Sequence, residues 1–233
     1  MPKIIESGNG TLLPDANKIA VSRRKFLGYG AAAAVLAVGV SACNKDDDDN
    51  NMPSEGVDLG SGDFGILNYA YALEQLEAAF YAKVITSPYG SMPAAELALL
   101  TDIRDHEIAH REFFKNALGS NAIQGLTPDF SKIDFTSRTS VLGAAKAFED
   151  LGVSAYNGAG KLITNPAYLV IAGKIVSVEA RHAAYIRDLI SNGSFASDTD
   201  ANGLDKSMDP AAVLTAANTY LVTKVSGKNL PTS

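Results

Sequence analysis

The chain has 233 residues, enough for one domain with accessory segments, and 46% of them are hydrophobic, so a sizeable core can form. Trp is absent, aromatics make up 8%, the formal charge is −6 and no large Lys/Arg cluster occurs, a pattern that excludes nucleic acid as a partner and favours a helical bundle over a β-sandwich. The single Cys43 allows no internal disulfide.

The first predicted element is a targeting segment. Arg23 and Arg24 precede an apolar run of 17 residues, Phe26 to Ala42, which is rich in Gly and Ala and short for a membrane span. "SRRKFL" resembles a twin-arginine export signal, and the closing "VSAC" resembles a bacterial lipobox. These resemblances imply that residues 1–42 are a signal peptide and that Cys43 is lipidated. The protein would be exported already folded and held by lipid in the cell envelope, on the periplasmic or the surface face of the outer membrane. A mature chain beginning at Cys43 has 15 basic and 24 acidic residues, a formal charge of −9. Residues 43–62 carry the run Asp46–Asp49 among polar residues, Gly and Pro, and read as a flexible acidic linker reaching about 65 Å when extended.

Helical periodicity begins at Asp63 and defines a domain over residues 63–192. The first helix carries Phe64, Leu67, Tyr71, Glu74, Ala78, Tyr81 and Ile85 on one stripe and stops at "TSPYGSMP". The second runs from Ala94 to Leu118, with Leu100, Ile103, Glu107, His110, Phe114 and Ala117 facing inward and Gly119 as its stop. Residues 119–137 form a connection long enough to run back along a helix of about 38 Å. The third helix covers Ser140 to Ile163, with Leu142, Ala145, Glu149, Gly152, Tyr156 and Ile163 aligned; "TNPA" breaks the chain. The fourth covers Tyr168 to Ser191, with Ile175, Glu179, His182, Ile186 and Leu189 aligned. Residues 193–233 read as a loop and a short helix from Pro210 to Val225. Two short connections flanking one long one predict an all-α, four-helix bundle with a single crossover between helices 2 and 3, the ferritin-like arrangement.

Each of the four helices places a glutamate on its inner stripe, and two add a histidine three residues on: "EIAH" (Glu107, His110) and "EARH" (Glu179, His182). The other two carry Glu74 with Tyr81 and Glu149 with Tyr156, in each case about two turns apart and so on one face. The halves repeat: Glu74 to Glu149 and Tyr81 to Tyr156 are both 75 residues, and Glu107 to Glu179 and His110 to His182 are both 72. Four carboxylates facing one core need counter-charge, because each is costly to desolvate unpaired. Two divalent cations supply it, and two neutral imidazoles complete a set of O and N donors that suits iron or manganese. Glu77, three residues after Glu74, is an alternative ligand on the first helix, although its repeat counterpart is Gly152. His106 lies off the inner stripe and reads as a rim or surface residue. Asp105 and Arg181 either orient ligands or pair at the surface, and Gly158 and Gly160 read as sites of close packing or a kink.

"LEQLEAAFY", "DHEIAHREFF", "FEDLGVSAY" and "VEARHAAYIRDL" resemble the ferritin-like superfamily, most closely its bacterial members related to plant desiccation-associated proteins. The resemblance implies that Glu74, Glu107 and His110 ligate one metal and Glu149, Glu179 and His182 the other, with Glu107 and Glu179 bridging. It implies two metal ions, iron ahead of manganese. Tyr81 and Tyr156 read either as core aromatics with satisfied hydroxyls or as groups standing beside the ligands. Dioxygen, peroxide or Fe(II) would be the reactants of an oxidoreductase: a ferroxidase, a peroxidase or a catalase-like enzyme. The other reading is a metal-binding or stress-protective lipoprotein without catalysis. Membrane contact would run through the lipid at Cys43, and a homodimer is compatible with either reading.

Overall fold

The computed structural model describes residues 56–232. The twin-arginine motif, the apolar run, Cys43 and the acidic run Asp46–Asp49 all lie outside the described residues.

A short strand β1 (Val57–Asp58) precedes four long helices, α1 (Gly62–Thr86), α2 (Ala94–Leu118), α3 (Arg138–Gly160) and α4 (Pro166–Ile190). A short helix α5 (Pro210–Ala217) and a strand β2 (Val225–Ser226) close the chain. Helix α1 packs along α2 and α3 along α4, and α1 also meets α3. This is the all-α, one-crossover bundle expected from the spacing of the elements. None of the described helices is long and apolar enough to cross a membrane.

Local chemistry sets the boundaries. Gly119 ends α2 with a positive φ (+55°), which a residue without a Cβ adopts freely. Ser137 caps α3 by accepting from Ser140 N, and Asn165 caps α4 by accepting from Ala167 N at 2.9 Å. The expected break at "TNPA" is therefore a helix start. Pro166 is the first residue of α4, where its missing N–H costs nothing. Helix α3 stops at Gly160, short of the expected Ile163, and α5 ends at Ala217, short of Val225.

Helix α1 is buried on nearly every side, because the crossover and the C-terminal segment cover the face that its partner helices leave open. Phe64 at its start is an exception and is exposed. Two buried polar side chains on α1 pin the crossover. Asn68 donates to Leu59 O (3.1 Å) and Asn121 O (2.9 Å) and accepts from Ile123 N (3.0 Å), and Gln75 Oε1 accepts from Leu126 N (2.8 Å). Further on, the Lys83 ammonium sits over the Phe135 ring at 4.4 Å. The crossover thus runs along α1, and Asp129 N donates to Tyr220 O (2.7 Å) to tie it to the C-terminal segment.

The linker expectation for residues 43–62 fails at its far end. Val57 and Asp58 pair in parallel with Val225 and Ser226, and Leu59 is fully buried. A two-residue strand carries no periodicity of its own, and its partner lies near the other end of the chain. Gly56 (φ +52°) permits this pairing, since a Cβ there would stand 2.7 Å from Lys224 O. Gly158 makes a second close approach: Met208 O lies 1.9 Å from where its Cβ would be, and Met208 N donates to Ser154 O at 2.9 Å.

Candidate metal centre

The 3.6-residue period that buries the apolar stripes of α1 to α4 also turns Glu74, Glu107, Glu149 and Glu179 inward, and all four are fully buried. His182 is buried as well, and the His110 side chain is 13% exposed. Glu74, Glu107, His110 and Glu179 each offer a donor atom within 4.8 Å of the others, and so do Glu107, Glu149, Glu179 and His182. Glu107 and Glu179 belong to both groups. The structure therefore brings together all six residues singled out as candidate ligands.

Their donor atoms converge without forming hydrogen bonds. His182 Nδ1 lies 2.8 Å from Glu107 Oε1 and 3.4 Å from Glu149 Oε2. His110 Nδ1 lies 3.0 Å from Glu179 Oε1 and 3.5 Å from Glu74 Oε2. These are ionic contacts that lack hydrogen-bond alignment. Glu74 Oε2, Glu149 Oε2, both oxygens of Glu107 and Glu179, and both Nδ1 atoms are buried with no hydrogen-bond partner. Such orphaned groups are costly in an ordinary core, and concentrated here they are what a cation site requires.

Protons take up the charge in the absence of a metal. Burial works against a charged His110, but Glu107, Glu179 and Glu74 around it push its pKa up to about 12. His182 likewise overcomes desolvation through Glu107 and Glu149 and rises to about 10. Desolvation raises Glu74 to about 8, with the Glu107 charge adding to it. Desolvation also acts on Glu107, but its contacts with His110 and His182 prevail and hold it at about 2. Burial keeps Glu149 above the usual carboxylate range and Glu179 well above it. These are the ionisation states of a cluster whose donors must lose protons to bind metal.

The two tyrosines reach across the bundle. Tyr81 on α1 donates to Glu149 Oε1 on α3 at 2.5 Å, and Tyr156 on α3 donates to Glu74 Oε1 on α1. Burial pushes both phenols well above their ordinary pKa, so each stays a donor and orients one oxygen of its glutamate.

Glu77 is a further buried carboxylate facing the four and stands outside both donor groups. Its Oε1 lies 3.1 Å from the point a Gly152 Cβ would occupy, so Gly152 leaves room for it. Burial and the charges of Glu179, Glu107, Glu149 and Glu74 push it well above the usual range. Glu74, not Glu77, is the α1 carboxylate grouped with His110. Asp105 and Arg181 do not reach the cluster: Asp105 pairs with Arg104 at 2.7 Å, and Arg181 donates to Ser177 O at 2.8 Å. His106, read as a rim residue, is exposed, yet its Nδ1 lies 2.9 Å from His182 Nε2 with the rings stacked at 5.2 Å. The sequence signal for that contact is slight. His106 is the third histidine of the chain and has Val178 as its repeat counterpart.

An apolar cavity of about 60 Å³ lies beside Tyr156, the donor to Glu74, and is lined also by Phe114, Ala155, Ala159, Ala172 and Tyr69 among others. The Tyr69 hydroxyl is buried without a hydrogen-bond partner.

Residues 62–192 match the family described as "Ferritin-like domain", a span that takes in all four bundle helices and every residue of the cluster. No curated protein matches the chain.

Proposed function

This chain belongs to the ferritin-like domain family, and from that premise we propose that its buried cluster binds two divalent metal ions and supports oxidoreductase chemistry. The observation that carries the reading is the set of orphaned carboxylate and imidazole atoms, fully buried and shared between two overlapping groups. Glu74 and His110 would hold one ion, Glu149 and His182 the other, with Glu107 and Glu179 serving both. Two divalent ions balance four carboxylates, and the O/N donor set suits iron and manganese alike, with iron the favoured occupant. Bound there, the ions would supply electron exchange with dioxygen or peroxide. The protein's part is to hold the carboxylates in place through Tyr81 and Tyr156 and to exclude water.

The apolar cavity that ends at Tyr156 supports dioxygen over peroxide, because a chamber with so little polar lining favours a small apolar molecule. Export as a lipid-anchored envelope protein is part of the same proposal, on the strength of the sequence motifs around Arg23, Arg24 and Cys43. The alternative is a cluster that only ties the four helices together.

The test is metal analysis of protein folded in its native host, followed by stopped-flow oxidation of the Fe(II)- and Mn(II)-loaded chain. Two ions per chain with rapid oxidation supports the proposal. An occupied site without turnover leaves the purely structural reading, and a chain that takes up no metal overturns both.

A further inference from the structure

The ligand set repeats almost perfectly between the two halves, but the atoms behind the two histidines do not. His182 turns Nδ1 to the carboxylates, 2.8 Å from Glu107 Oε1, so with a metal on Nδ1 its remaining proton would sit on Nε2, which lies 2.9 Å from His106 Nδ1. With Nε2–H as donor, His106 Nδ1 is the acceptor, and the two rings lie nearly parallel, 9° apart. His110 presents the same Nδ1 to Glu179 at 3.0 Å. The residue that stands before Glu179 as His106 stands before Glu107 is Val178, whose side chain has no acceptor atom to offer. Among the described residues, one imidazole of the pair is therefore held at both nitrogens and the other from the cluster side alone.

We propose that His106 is a positioning residue that fixes the tautomer and ring orientation of His182, so that the two metal positions are unequal and the one containing His182 binds more tightly. The inference rests on the metal-binding reading above. A partner on the outer nitrogen of a ligating histidine sets its orientation and raises its basicity, and loss of such a partner costs about 10- to 100-fold in metal affinity. His106 is exposed, so the lower end of that range applies. An exposed residue that contributes little to the core also makes a clean substitution.

The experiment is a calorimetric Mn(II) titration of the folded chain in two backgrounds. In His110→Ala only the His182 position keeps its imidazole; in His182→Ala only the His110 position does. Adding His106→Ala should weaken Mn(II) binding about tenfold in the first background and leave the second unchanged. His106→Asn places an amide oxygen near the lost Nδ1 and should restore most of the affinity. An unchanged isotherm in the His110→Ala background, an equal loss in both backgrounds, or no recovery with His106→Asn would overturn the inference while leaving metal binding intact. A wild-type chain that takes up no Mn(II) and no Fe(II) would instead defeat the metal-binding reading and this inference with it.

Discussion

The surroundings of Tyr81 and Tyr156 occupy equivalent places in the duplicated bundle and differ sharply in packing. Beside Tyr81 the interior is filled. Phe80 meets Tyr81 and Phe148 edge-on at 5.0 Å, and Phe148 meets Tyr220 at 4.7 Å. The crossover adds Phe130 and Phe135, each 5.9 Å from Phe80. Beside Tyr156 there is a cavity instead. At the repeat offsets of 75 and 72 residues, Phe80, Val84 and Leu100 correspond to Ala155, Ala159 and Ala172, and all three alanines line that cavity. The chain's topology explains part of the difference. The single crossover can cover only one side, and α3 joins α4 through just residues 161–165. The polar centre repeats between the two halves, and the apolar flanks do not. One flank is a filled core and the other a chamber lined by Tyr156.

The largest expected effect tests the part that stayed symmetric. Glu107→Gln removes a carboxylate shared by both groups and should abolish uptake of both ions, whereas Glu74→Gln should cost the His110 position only, as read by metal stoichiometry after dialysis. Equal loss in the two variants would break the shared-ligand assignment. Next come the flanks. Phe80→Ala should destabilise the protein by about 3–5 kcal/mol in chemical denaturation, because a filled aromatic cluster cannot close around the gap. Ala159→Val, which copies the Val84 side chain into the chamber, should be neutral or stabilising by up to about 1 kcal/mol. A clear loss of stability would mean that the chamber has no room for the added methyl groups.

A smaller and graded effect is expected from pH. His110 at about 12 and His182 at about 10 lie above the ordinary histidine value of 6.5, so their contribution is complete below 6.5 and is lost as pH rises through those values. Glu74, raised to about 8 from 4.5, acts in the same direction over a lower range. Metal-free protein should therefore lose thermal stability steadily between about pH 7 and 10. The loaded protein should not, and metal uptake should release protons in titrations run in buffers of different ionisation enthalpy. A flat stability profile for metal-free protein would refute the protonated cluster. The smallest change is Gly152→Ala. Its Cβ would sit 3.1 Å from Glu77 Oε1, forcing a shift of a few tenths of an ångström in that carboxylate. A crystal structure of the variant should show Glu77 alone displaced, with Glu74 and the α1 backbone in place; movement of Glu74 would mean that the two carboxylates are not held independently.

Most of the bundle is legible in the sequence because its information is local. A helix that packs on one face repeats its apolar residues every three or four positions, so the pattern alone places α2 from Ala94 to Leu118, as observed. The six candidate ligands are legible for the same reason, since Glu-x-x-His and its duplicate put both groups on one stripe without reference to anything distant. What required the tertiary structure were contacts between residues far apart in the chain. The strand pairing of Val57 with Val225, the crossed bonds of Tyr81 to Glu149 and Tyr156 to Glu74, and the reach of His106 to His182 belong to this class. So does the chamber, because an alanine at 155, 159 or 172 reads as ordinary helix until the opposing side chains are known. Periodicity records which way a residue faces along its own helix, and only the packed bundle decides what stands opposite it.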